Sequence, residues 1–181
     1  MKNKLILNIV LCGMFIALLV VATMIRIPIG TLSITLQTLV VFLSGMLLGY
    51  KWGTISVCCY VMLGLLGLPV FTNGGGLFYV IEPSFGYLLG FIVATFVIGL
   101  MTLNNSKTKR LIISGFTGLL IIYLIGLPFF YFISTLYYKI TIEAIDLLIY
   151  YFLIPLPLDI ISIFISVIIT KRLGIIKDSC E

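Results

Sequence analysis

Residues 154–170 read IPLPLDIISIFISVIIT: two prolines, a single aspartate at Asp159, then eleven residues without a charge. A helix this apolar sits in a large core or in a bilayer, and the carboxylate needs a partner in either place. The rest of the chain decides between them. Of 181 residues, 62% are hydrophobic and 9% are charged, with a mean hydropathy of +1.31. Soluble domains carry roughly 25% charged residues, so this chain has too few to cover itself in water. Further uncharged runs span 5–25, 27–50, 52–81, 83–106 and 111–138. Each exceeds the roughly 20 helical residues that cross a hydrocarbon layer about 30 Å thick.

The fold class expected is therefore an all-α integral membrane protein, one domain over residues 1–181. Six transmembrane helices are placed near 5–25, 33–49, 52–68, 84–103, 111–132 and 146–170. Glycine, proline and polar clusters mark the breaks, as in GYKWG and GLPVFTNGGG. The N-terminal run is longer than a signal-peptide core and lacks an A-x-A-like site, so it reads as a retained first helix. With both termini on one side, that side holds Lys2, Lys4, Lys51, Lys107, Lys109, Arg110, Lys171, Arg172 and Lys177, against only Arg26 and Lys139 on the other. This bias puts both termini in the cytoplasm. The net charge of +5 then follows from topology and anionic lipid, with no nucleic acid as partner.

Chemistry is limited by what the chain lacks. There is no histidine, which removes the commonest general base and metal ligand. Cys12, Cys58, Cys59 and Cys180 form no C-x-x-C pair and read as small apolar side chains, so no metal or cofactor is expected. NGGGLF is glycine-rich without the G-K-[ST] of a phosphate loop. Neither ATP hydrolysis nor another enzymatic activity is expected. What stands out is a set of polar groups that the topology puts at one depth, in the outer half of the bilayer: Thr35, Gln37, Asn73, Glu82, Ser84, Tyr87, Asp159 and Ser162. Their convergence suggests a pocket open to the exterior. Plainer readings exist. Ser84 suits an N-cap, Tyr87 an interfacial aromatic belt, and Gly74–Gly76 a tight turn. Asp159 is harder to explain that way, because Pro155 and Pro157 free backbone carbonyls beside it. On the first helix, Gly13 and Ala17 are spaced four apart, which allows close docking of another membrane helix.

TLQTLVVFLSGMLLGYKWGTISVCCYVMLGLLGLPVFTNGGG, followed by PSFGYLLGF, resembles the BioY family, the biotin-specific S-components of energy-coupling factor transporters. The resemblance runs from about residue 10 to about residue 172. It implies a six-helix bundle in a prokaryotic plasma membrane that binds biotin from outside. Such a subunit works with a membrane coupling subunit and two cytosolic ATPases. A first exterior loop, RIPIGTLS, would close over the ligand. Asp159 corresponds to the aspartate of the family's P-x-D-x-x-K segment and would accept the ureido N–H groups, with Asn73 nearby. The family's lysine is Ser162 here, which leaves Arg26 as a candidate for the ligand carboxylate. Lipoate or another biotin-like acid, and a membrane assembly protein that transports nothing, remain alternatives.

Overall fold

A computed structural model describes residues 2–29, 32–103, 107–139 and 143–173. Gly30 and Thr31 of the first exterior loop, residues 104–106 and 140–142, and the C-terminal stretch with Lys177 and Cys180 lie outside that set. The described chain runs α1 (Lys2–Met24), β1 (Arg26–Ile29), β2 (Leu32–Thr35) and α2 (Gln37–Leu65). A 3₁₀ turn (Leu77–Ile81), α3 (Phe85–Thr102) and α4 (Thr108–Leu136) follow. The chain ends with α5 (Ala144–Leu148), a π turn (Ile149–Leu153) and α6 (Leu156–Arg172). Helix α2 packs along α1, α3 and α6, and α4 along α3 and α6.

Among the described residues, five helical stretches are long and apolar enough to cross a membrane, not the six expected from sequence. The difference lies at Gly49. The expected break GYKWG is no loop; the helical assignment runs through it as one 29-residue element with a single non-helical residue, Gly49, at φ +75° and ψ −174°. That region of backbone space is open essentially to glycine alone. The arms on either side of it lie together. The hydroxyls of Ser44 and Ser56 are 3.0 Å apart, whereas twelve residues of straight helix would separate them by about 18 Å. Ser44 also donates to the Gly53 carbonyl at 3.1 Å, and Gln37 reaches Tyr60 from the far end of the other arm.

Two other boundaries differ from expectation. The second helix does not begin at residue 33, because 32–35 pair with 26–29 in an antiparallel ribbon, Arg26 opposite Thr35. LSIT alternates and is rich in β-branched residues, which fit a strand better than a helical turn. The helix opens at Gln37, whose amide donates to Thr35 Oγ1 at 3.4 Å. The all-α class holds, with one short ribbon added to it. The last expected helix, 146–170, is divided into α5, the π turn and α6. Pro155 and Pro157 cause the division, since neither can donate to the carbonyl four residues earlier.

Gly49 gives a direct test of the reversal. A Cβ built there meets nothing within 4 Å, so Gly49→Ala would act through the backbone alone, at a cost of about 1–3 kcal/mol. Gly13, mid-helix and equally open, is the control. We expect Gly49→Ala to lower the melting temperature of the detergent-solubilised protein while Gly13→Ala leaves it equal or higher. Equal melting of the two variants would contradict this account of Gly49.

Candidate functional site

The first turn of α6 carries the site's one carboxylate. Asp159 is 6% exposed, and its amide donates to the Pro155 carbonyl at 3.1 Å. A negative charge in this first turn suits the helix dipole. Thr38 Oγ1 of α2 donates to Asp159 Oδ1 at 2.7 Å. From α4, the Tyr123 hydroxyl donates to Oδ2 at 2.6 Å. Each carboxylate oxygen thus has one donor. With roughly four lone-pair sites on an ionised carboxylate, each oxygen can accept one more bond.

The prolines shape the wall above. Pro155 has no N–H, so the Tyr151 carbonyl loses its helical partner. The Tyr87 hydroxyl of α3 donates to that carbonyl at 3.2 Å. The Tyr87 ring lies edge-on to Tyr123 with centroids 6.3 Å apart, and Phe152 packs edge-on to Tyr123 at 4.9 Å. A carbonyl released by a proline is in this way tied to two aromatics beside Asp159.

The opposite wall comes from the segment between α2 and α3. Gln37 Oε1 accepts from Thr35 at 2.9 Å, and Gln37 Nε2 donates to the Tyr60 hydroxyl at 2.8 Å. Tyr60 in turn donates to the Val70 carbonyl at 2.9 Å, fixing where the chain leaves α2. Phe71 rests against Gly64, where an added Cβ would lie 2.0 Å from the ring. The Phe71 ring also packs on Tyr60 and Tyr79 at 5.6 and 4.4 Å. That placement sets up a chain of hydroxyls, Thr72 to Tyr79 at 3.0 Å and Tyr79 to Ser84 at 3.1 Å.

Between these walls is a cavity of about 750 Å³, counting its open mouth. Of the residues singled out from sequence, Asp159, Asn73, Gln37, Tyr87 and Ser84 all line it. Ser84 holds the N-cap position of α3, yet makes no capping bond with its side chain; its hydroxyl goes to Tyr79. Ser162 and Arg26, also named from sequence, are not among the residues that line it. Ser162 is buried away from the cavity, and its hydroxyl donates to the Leu158 carbonyl of its own helix at 2.9 Å. One turn beyond Asp159, it turns inward against the bundle. Arg26 is exposed and outside the lining; its guanidinium donates to the Thr72 carbonyl. Gly13 and Ala17 are both exposed on α1, remote from the cavity lining.

Sequence reasoning missed Thr38, Tyr60, Tyr79 and Tyr123, all of which line the cavity. Thr38 directly follows Gln37 and could have been found through that neighbour. Tyr123 lies deep in the uncharged run 111–138, where nothing local separates a buried tyrosine from a lipid-facing one.

The chain is 44% identical over 133 residues to the "Probable biotin transporter BioY" of Lysinibacillus sphaericus, covering 72% of this chain and 68% of that protein. It is 48% identical over 115 residues to the "Biotin transporter BioY" of Thermotoga maritima, covering 63% of this chain and 68% of the other. Among solved structures, the S-component for biotin from an ECF-type ABC transporter superposes with a TM-score of 0.74 at 30% identity, covering 96% of this chain and 94% of that one. The BioY family model matches residues 1–177. On that span and those identities, the chain belongs to the BioY family.

Proposed function

We propose that this protein is the biotin-binding subunit of an energy-coupling factor transporter. It captures the vitamin from outside and passes it inward with a membrane coupling subunit and two cytosolic ATPases. The observation that carries the reading is Asp159, buried on the cavity floor with one hydroxyl donor on each oxygen and room for one further bond on each. A cyclic urea carries one N–H on each side of its carbonyl, pointing apart, and one of them can donate to the lone pair that such a carboxylate leaves open. Lipoate has no N–H to offer, so the geometry favours biotin over it. The aromatic wall of Phe71, Tyr87 and Phe91 suits a thioether ring and an aliphatic chain.

The membrane arrangement belongs to the same proposal. Counting the two arms of α2 as separate crossings, the chain spans the membrane six times and both termini are cytoplasmic, in a prokaryotic plasma membrane. The Ser44–Ser56 contact and the nine-to-two division of the eleven cations support this topology. The cavity then opens to the exterior. Gly13 and Ala17, exposed on α1 with space around Gly13, would receive the coupling subunit.

Two measurements check these assignments. Calorimetric titration of the detergent-solubilised protein with biotin should show saturable binding. Asp159→Asn should weaken it by about 1–3 kcal/mol, the cost of losing a charged acceptor and mispairing its donors. Unchanged binding in the variant would remove Asp159 from the site, and absence of biotin binding by folded wild-type protein would remove biotin. Separately, Gly13→Leu with Ala17→Leu should leave biotin affinity intact yet abolish uptake by cells that co-express the coupling subunit and ATPases. Normal uptake would place the docking surface elsewhere.

A further inference from the structure

A biotin molecule has a second end, a carboxylate, and the cavity's treatment of it is written in the charge of its walls. Resting on the biotin reading above, we infer that this site receives the acid end through neutral hydroxyl and amide groups instead of a cation. It therefore recognises the ring head and accepts a neutral tail as readily as an anionic one. Its ligand class is cyclic ureas bearing a short chain that ends in an acid or in an uncharged hydrogen-bonding group.

Three observations carry this. First, no lysine or arginine is among the described residues that line the cavity, and Asp159 is the one charged group there. With the ring head placed on Asp159, the acid end reaches toward the wall built between α2 and α3. Second, that wall carries the chain Thr72–Tyr79–Ser84, with contacts of 3.0 and 3.1 Å. Three hydroxyls hold three protons and the two contacts use two of them, so one O–H proton is left to donate outward. Asn73, next to Thr72, adds an amide to the same wall. A hydroxyl or amide donates as well to an uncharged carbonyl as to a carboxylate oxygen, apart from the added strength that charge brings.

Third, the nearest candidate cation is committed elsewhere. Arg26 sits on β1 opposite Thr35, and its guanidinium donates to the Thr72 carbonyl. Arg26 thus clasps the ribbon to the turn that bears Thr72 and Asn73, and acts on the ligand by holding that turn. Its side chain is exposed, where solvent screens its charge.

The test compares two probes, biotin and biotinamide, which differ only in whether the tail is charged. Dissociation constants are measured by calorimetry on the solubilised full chain, for wild type and for Arg26→Gln. An exposed, screened cation separates the two probes by no more than about fivefold, whereas a desolvated charged hydrogen bond separates them by about tenfold to a hundredfold. The inference expects both probes to bind within about fivefold of each other, and the ratio to stay within that range in Arg26→Gln even if both affinities drop as the turn loosens. Biotinamide weaker by tenfold or more overturns the inference, and collapse of that gap in Arg26→Gln would then identify Arg26 as the cation. If wild type binds neither probe, the biotin reading itself fails and this inference with it. Binding of biotin with loss of biotinamide leaves the biotin reading standing alone.

Discussion

A carboxylate taken out of water must be met by donors or given up, because an unpartnered buried charge costs several kcal/mol. In this protein that requirement organises the cavity end of the bundle. Asp159 belongs to α6, and its donors Thr38 and Tyr123 belong to α2 and α4. Three helices distant in sequence are held in register by two short hydrogen bonds. The floor of the cavity is therefore also the place where the bundle is joined, and a change to the ligand contact is a change to the packing. Tyr87 extends the arrangement to α3 through its bond to the Tyr151 carbonyl.

The two walls differ in a way that fits an asymmetric ligand. One is a rigid meeting of helices around a negative charge. The other is non-helical backbone between α2 and α3, held by Phe71 against Gly64 and by Tyr60 against the Val70 carbonyl. Irregular backbone in a membrane protein is tolerated where it lines a cavity, as Phe71, Thr72, Asn73 and Tyr79 do here. Its hydroxyls are paired with one another, so the wall is polar without being charged.

Much of this was legible in the residues, for definable reasons. Length and apolarity reveal membrane helices because each uncharged run must match a bilayer. Asp159, Gln37 and Asn73 stood out because polar groups are rare in such a chain, and the cavity gathers all three. The rest depended on facing, which a uniformly apolar helix does not encode. Ser162 and Asp159 are one turn apart, yet one is packed into its own helix and the other lines the cavity. Tyr123 looked like any other aromatic in an uncharged run. The ribbon at 26–35 was read as loop and helix because its alternation covers only a few residues, and the turn at Gly49 was read as a loop because nothing in GYKWG shows that one glycine suffices.

The central claim is that Asp159, held by Thr38 and Tyr123, accepts a ureido N–H of biotin. A crystal structure of the protein grown with biotin tests it most directly. The account predicts one ureido nitrogen within about 2.7–3.2 Å of an Asp159 oxygen, with the Thr38 and Tyr123 bonds kept. Biotin seated elsewhere, or Asp159 turned away from the ring while its two hydroxyl partners stay in place, would contradict it.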